Sequence, residues 1–264
     1  MNRGKGFSGK FFKIYVLLVL TATTATGLNT LMGESSYFMT GFLDLSVYAR
    51  TLIDMVIMFF LYGLLGLFGF KLAGEIGLPG VWSVQYPGLI DYLEPAFAGI
   101  AVGLIFIFLE SGFAGLHGLG YFSGLDFPHS LFALITGAVA EEILYRLFLI
   151  PVLVAVILAY RQQRFSGEAI PKGKKGLSGS IFWPAAAAAG IIYTLAHGFD
   201  MIVSLGEISM TQLPPLAWLQ VLLMNLVLAL AAAWQFRRRG YLAAVMFHAW
   251  FALVWYIIRG GFLI

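Results

Sequence analysis

The chain predicts an all-α, polytopic integral membrane protein of about seven transmembrane helices, and three observations carry that prediction. Of its 264 residues 60% are hydrophobic and only 11% charged, whereas soluble domains carry about 25% charged residues. Apolar runs of spanning length, roughly 17–25 residues, fall at about 12–31, 51–70, 95–115, 130–158, 181–205, 215–236 and 241–258, and no strand-length alternation dominates anywhere. Finally, the basic residues gather in alternate gaps. Arg3, Lys5, Lys10 and Lys13 precede the first span, and Lys71 follows the second. Arg161, Arg164, Lys172, Lys174 and Lys175 follow the fourth, and Arg237, Arg238 and Arg239 the sixth. Only Arg50 and Arg259 fall on the other side, and Arg146 lies within a span. By the positive-inside rule the N-terminus is expected in the cytoplasm and the C-terminus outside. An eighth span would put this pattern out of phase.

The absence of cysteine excludes disulfides, thiolate nucleophiles and thiolate metal sites. A net charge of +3 is too small to suggest nucleic acid as a partner. Membrane lipids are the expected surroundings, in a bacterial or archaeal cell membrane.

The first span begins with basic residues, an apolar core Ile14–Leu20 and small residues Thr21–Gly27. A signal peptide shares that order, but the apolar stretch resumes with no cleavage box, so a retained span is expected. Gly33–Arg50 is a polar outer loop. Asp54, near the outer end of the second span, is expected to snorkel to the interface. Gly74–Tyr92, with Trp82, Tyr86 and Tyr92, suits a loop at headgroup level. Glu94-Pro95 opens the third span, with proline where its missing N–H costs nothing. Glu110 is expected at an interface, and His117 and His129 are expected as solvated loop residues. The Gly/Lys-rich stretch 167–179 is read as a flexible cytoplasmic loop. The chain thus divides into residues 1–128, three spans without a motif, and residues 129–264, four spans that hold the chemistry.

Within the fourth span stands A-E-E-I-L-Y-R, Ala140–Arg146. A charge at the bilayer centre costs ~2.5–3.5 kcal/mol on insertion scales, so Glu141, Glu142 and Arg146 call for partners. On a helix Glu142 and Arg146 are spaced i, i+4 and pair, while Glu141 points about 100° away. The fifth span carries His197 and the seventh His248, both inside apolar stretches. Ionisable groups in membranes face the bundle interior and partner one another, so Glu141, His197 and His248 are expected to converge on one polar cavity. Two chemistries fit. The three ligate Zn2+ with an open position for water, or Glu141 acts as general base on a water that His197 orients while His248 stabilises the oxyanion, with no cofactor.

E-E-x-x-x-R at Glu141, Glu142 and Arg146 resembles the first motif of the CPBP family of intramembrane endopeptidases, which includes type II CAAX prenyl proteases and bacteriocin-processing or self-immunity proteins. Tyr193-x-x-x-His197 resembles its second motif, F-x-x-x-H, and His248 its third. Motif order and the basic turn Arg237–Gly240 also match, over roughly Ser130 to Ile258. The resemblance implies cleavage of a membrane-associated peptide, lipidated or a leader or C-terminal sorting segment, with Glu141, His197 and His248 catalytic. Glu142, Arg146 and Tyr193 would support them. There are departures. Leu147 stands where a glycine commonly follows the arginine, and Ala252 stands where an asparagine commonly follows the last histidine by one turn. Asn225, or Asp200, is the candidate to replace that asparagine. Its loss carries the alternative of a catalytically weak or inactive immunity or scaffold protein. A proton-coupled transporter ranks third, since the chain shows no inverted repeat or broken helix pair.

Overall fold

The structure is a computed structural model, described here for residues 9–33, 44–84, 87–121, 125–165, 177–204 and 213–263. Among the described residues it is helical with no strand. Seven helices are long and apolar enough to cross a membrane: α1 Gly9–Leu31, α2 Val47–Glu75, α3 Leu89–His117, α4 His129–Arg161, α5 Gly179–Gly198, α6 Pro215–Arg239 and α7 Tyr241–Gly260. They match the seven expected spans one for one, and the protein is an all-α integral membrane protein.

Lipid tails are as apolar as leucine, so helices in a membrane associate through close packing and interhelical hydrogen bonds rather than through burial from water. Small residues mark those contacts. Gly99 and Gly103 of α3 lie against α7, where a Cβ on Gly99 would collide with the Phe247 carbonyl and one on Gly103 would come within 2.7 Å of Val254. Gly69 of α2 lies in the same way on the Leu147 carbonyl of α4. Helix α1 packs between α2 and α4, α5 lies along α6, and α7 touches α3, α4 and α6. Large apolar side chains such as Leu17, Leu64, Phe97 and Phe108 face outward, as lipid contact requires.

The loop after α2 is drawn inward, with Leu78, Val81 and Trp82 buried. The carbonyls of Gly80 and Val81 accept from the Tyr241 and Leu242 amides at 2.9 and 3.0 Å, and the Ser83 amide donates to the Arg239 carbonyl at 2.7 Å. The first amides of any helix lack intrahelical acceptors, and here another loop satisfies two of them. The turn into α7 depends on Gly240 at φ +104°, where a side chain would be strained and a Cβ would meet Gly80 O at 2.7 Å.

Several polar expectations are corrected. Asp54 does not snorkel: it is fully buried and accepts from Thr30 Oγ1 at 2.7 Å. Glu110 is buried rather than interfacial, and both its oxygens accept from the buried Arg259 guanidinium. His117 and His129 are half-buried, bonded to Gln220 at 2.9 Å and to Asn29 at 3.0 Å. Helix α3 begins at Leu89, so Pro95 lies inside it. At its start Asp91 and Glu94 pair with Arg239, and Glu94 also with Arg238, tying α3 to the end of α6. The Gly/Lys-rich stretch falls almost wholly outside the described residues.

Candidate active site

Helix α4 changes pitch at the motif. It is α-helical through Glu141 and π-helical over Glu142–Leu149. A π-helical turn holds an extra residue and rotates the helix beyond it, a device frequent at functional sites. Gly137, one turn before Glu141, leaves room for its carboxylate: a Cβ there would stand 3.2 Å from Glu141 Oε1. The sequence contains that glycine, but nothing in one chain marks it as a neighbour of the acid.

The structure brings Glu141, His197 and His248 together. His197 Nε2 lies 3.5 Å from Glu141 Oε1, and His248 Nε2 lies 3.8 Å from Glu141 Oε2. The first gap stands at the outer limit of a hydrogen bond and the second beyond it, so the two imidazoles flank the carboxylate. Glu141 Oε2 is buried and has no hydrogen-bond partner. Exposure runs from 28% for the His197 side chain through 14% for Glu141 to 6% for His248, so the cluster opens on the His197 side.

Each imidazole is fixed through its other nitrogen. His197 Nδ1 lies 3.0 Å from the Tyr193 carbonyl, and His248 Nδ1 lies 2.8 Å from Glu142 Oε1. A carbonyl and an ionised carboxylate only accept, so both Nδ1 atoms carry hydrogen. A neutral histidine therefore offers Glu141 a lone pair at Nε2, and only an imidazolium offers it a proton. Glu142 has a second partner, Arg146 Nε at 3.2 Å, and both side chains are buried. The Arg146 guanidinium stacks over the Tyr193 ring at 4.9 Å, and that ring stacks on His197 at 4.1 Å. Tyr145 meets Tyr193 edge-on at 5.0 Å.

A family model described as "Type II CAAX prenyl endopeptidase Rce1-like" matches residues 123–254. The chain belongs to this Rce1-like family. No curated protein and no solved structure matches this chain. The matched segment contains every residue of the cluster just described, and membership supports, at family level, an intramembrane CAAX-type peptidase.

Around this Rce1-like core the other expected residues take definite places. Ala252 is buried within the apolar cluster of Phe247, Phe251 and Tyr193. Asn225 turns its amide nitrogen to the Val221 carbonyl of its own helix at 3.0 Å. The Asp200 side chain lies outside the described residues. Among the described residues, no group of three or more histidine, aspartate or glutamate side chains is arranged to hold a metal ion.

Proposed function

We propose that the protein is an intramembrane endopeptidase in which Glu141 activates water against a membrane-associated peptide. The observation that carries this reading is Glu141 Oε2: a buried carboxylate oxygen without a hydrogen-bond partner, in a carboxylate faced by two imidazole Nε2 atoms within 4 Å. Such an oxygen takes a proton from a water whose other O–H points to His197 Nε2. The freed water oxygen attacks the scissile carbonyl carbon, and Glu141 then passes the proton to the leaving amine as the C–N bond breaks. His248 donates from Nε2 to the developing oxyanion, which requires it as an imidazolium because Glu142 already takes the Nδ1 hydrogen. With that charge the four groups Glu141, Glu142, Arg146 and His248 sum to zero. Neutrality is what a site buried in lipid favours.

Glu142, Arg146 and Tyr193 hold the two histidines rather than react. The substrate classes that suit the family are prenylated C-terminal tails, leader peptides and membrane-anchored sorting segments. The basic ends of α1, α2, α4 and α6 support a cytoplasmic start of α1 and an outer end of α7. The test is to reconstitute the protein in liposomes with a panel of such peptides and read products by mass spectrometry. An internal peptide bond cleaved by wild type and spared by His197→Ala supports the proposal. A panel left whole by wild type rejects it in favour of a peptide-binding immunity or scaffold role, and equal cutting by both removes His197 from the mechanism.

A further inference from the structure

Helices α4 and α6 end, and α5 and α7 begin, beside the basic stretches of the chain. At about 1.5 Å per residue, Glu141 stands about 18 Å beyond the start of α4 and roughly 25–30 Å before Arg161 at its basic end. His197 stands about 27 Å along α5 from Gly179, in a bilayer core about 30 Å thick. Both therefore belong to the half of the bundle away from the basic ends. His248 is closer to one of them, about 10 Å beyond Tyr241. That end of α7 is closed, however. Tyr241 is fully buried, and so are Leu78, Val81 and Trp82 of the loop that caps its first amides. Arg238 and Arg239 pair with Asp91 and Glu94 beside it.

The interior between the site and the basic ends is apolar and tightly packed. Ile143 and Leu147 of α4, Phe182 and Ala189 of α5, Phe236 of α6 and Ala244 of α7 are each no more than 2% exposed and belong to one cluster. Water enters a protein interior where polar groups can bind it, and side chains buried in this way give it no path. Toward the opposite ends the buried contacts are polar pairs: Thr26 with Thr136, Thr30 with Asp54, His117 with Gln220 and Glu110 with Arg259. His197, the most exposed member of the site, lies in that direction. Ile191 and Leu195 on the same stretch of α5 are 52% and 58% exposed, so its rim is apolar and meets lipid. Water and substrate thus reach Glu141 from the side away from the basic ends.

We propose that the site is served from the outer face of the membrane, and that its substrate is the membrane-proximal segment of an exported, membrane-anchored polypeptide rather than the lipidated tail of a cytoplasmic protein. The basic ends mark the cytoplasmic side, and the opening lies at the other. Extended backbone is not tolerated among acyl chains, so a cleavable bond is presented where an anchor leaves the outer leaflet, beside the apolar rim of α5. The inference rests on the reading of Glu141 as base, and its test separates the two. Single cysteines replace His197, Glu141, Ala244 and Lys71 in turn, and a charged, impermeant thiosulfonate is added to intact cells and to inside-out vesicles. His197→Cys and Glu141→Cys are expected to react in intact cells and to be spared in vesicles, Lys71→Cys to do the reverse, and Ala244→Cys to react in neither. Any other pattern shared by His197→Cys and Glu141→Cys overturns the outer opening. In a second arm, cells carry one anchored reporter segment displayed on the outer leaflet or on the inner. Wild type is expected to cut the outer reporter and leave the inner whole, and the opposite result, or neither being cut, rejects the substrate. Equal cutting by Glu141→Gln removes Glu141 as base, while the labelling still decides which face the site opens to.

Discussion

Glu141 and Glu142 are adjacent in the chain and do different work because a helix turns them about 100° apart. Glu142 is fully buried, and Arg146 and His248 stand against it. Removing one partner of a buried ion pair strands the other, which costs about 3–5 kcal/mol. Arg146→Ala is therefore expected to destabilise the protein by that amount, measured by denaturant unfolding in detergent. Arg146→Lys recovers only part of it, because an ammonium lacks the planar face that stacks on Tyr193. Glu142→Gln acts on chemistry more than on stability. An amide no longer obliges His248 to carry hydrogen at Nδ1 or favours its imidazolium, so kcat is expected to fall about 10- to 100-fold with KM little changed. Steady-state kinetics on the two variants checks this, and unchanged kcat in Glu142→Gln would remove the tautomer argument.

At the scale of helices, position is set by small residues and by buried polar pairs. Gly99 lets α3 approach the Phe247 carbonyl, one residue before His248. A leucine there must push the helices apart, and a displacement near 1 Å at a reacting group costs about 100-fold in rate. Gly99→Leu is thus expected to lose activity to that extent while remaining helical, read by kcat/KM beside circular dichroism. The same scale shows where sequence reading stops. Glu141, His197 and His248 were legible together because polar groups inside apolar runs must find each other. That Glu142 also reaches His248, 106 residues on, was not legible, since helix spacing reveals only the neighbour at Arg146. Asp54 and Glu110 were misread for a related reason. Both stand toward span ends, where snorkelling is the simplest account, and their partners Thr30 and Arg259 lie on other helices. Pro95 suggested a helix start, but the chain begins α3 at Leu89, where Gly88 and Asp91 form the cap.

For the whole molecule the number and order of spans were readable, because length and apolarity are the only requirements for crossing a bilayer. The inward fold of the loop at Gly80–Trp82 was not, since its role is to accept from the backbone amides of Tyr241 and Leu242, which no side-chain pattern records. Orientation is directly testable because the native chain has no cysteine. Single cysteines at Lys10 and Lys71 are expected to resist an impermeant maleimide in intact cells, and one at Ser46 to react. The reverse pattern inverts the topology. A second test concerns the metal. With general-base chemistry at Glu141, dialysis against a strong zinc chelator is expected to leave cleavage unchanged, and loss of activity restored by added zinc would replace that chemistry with the His2Glu alternative. The most direct measurement compares single-turnover cleavage of one membrane-anchored peptide by wild type and Glu141→Gln in the same liposomes. An amide holds the shape of the site but takes no proton, so cleavage is expected to fall by a factor of at least about 100 with peptide binding retained. Equal rates in the two proteins would contradict the account, because the oxygen on which it depends would then take no part in the reaction.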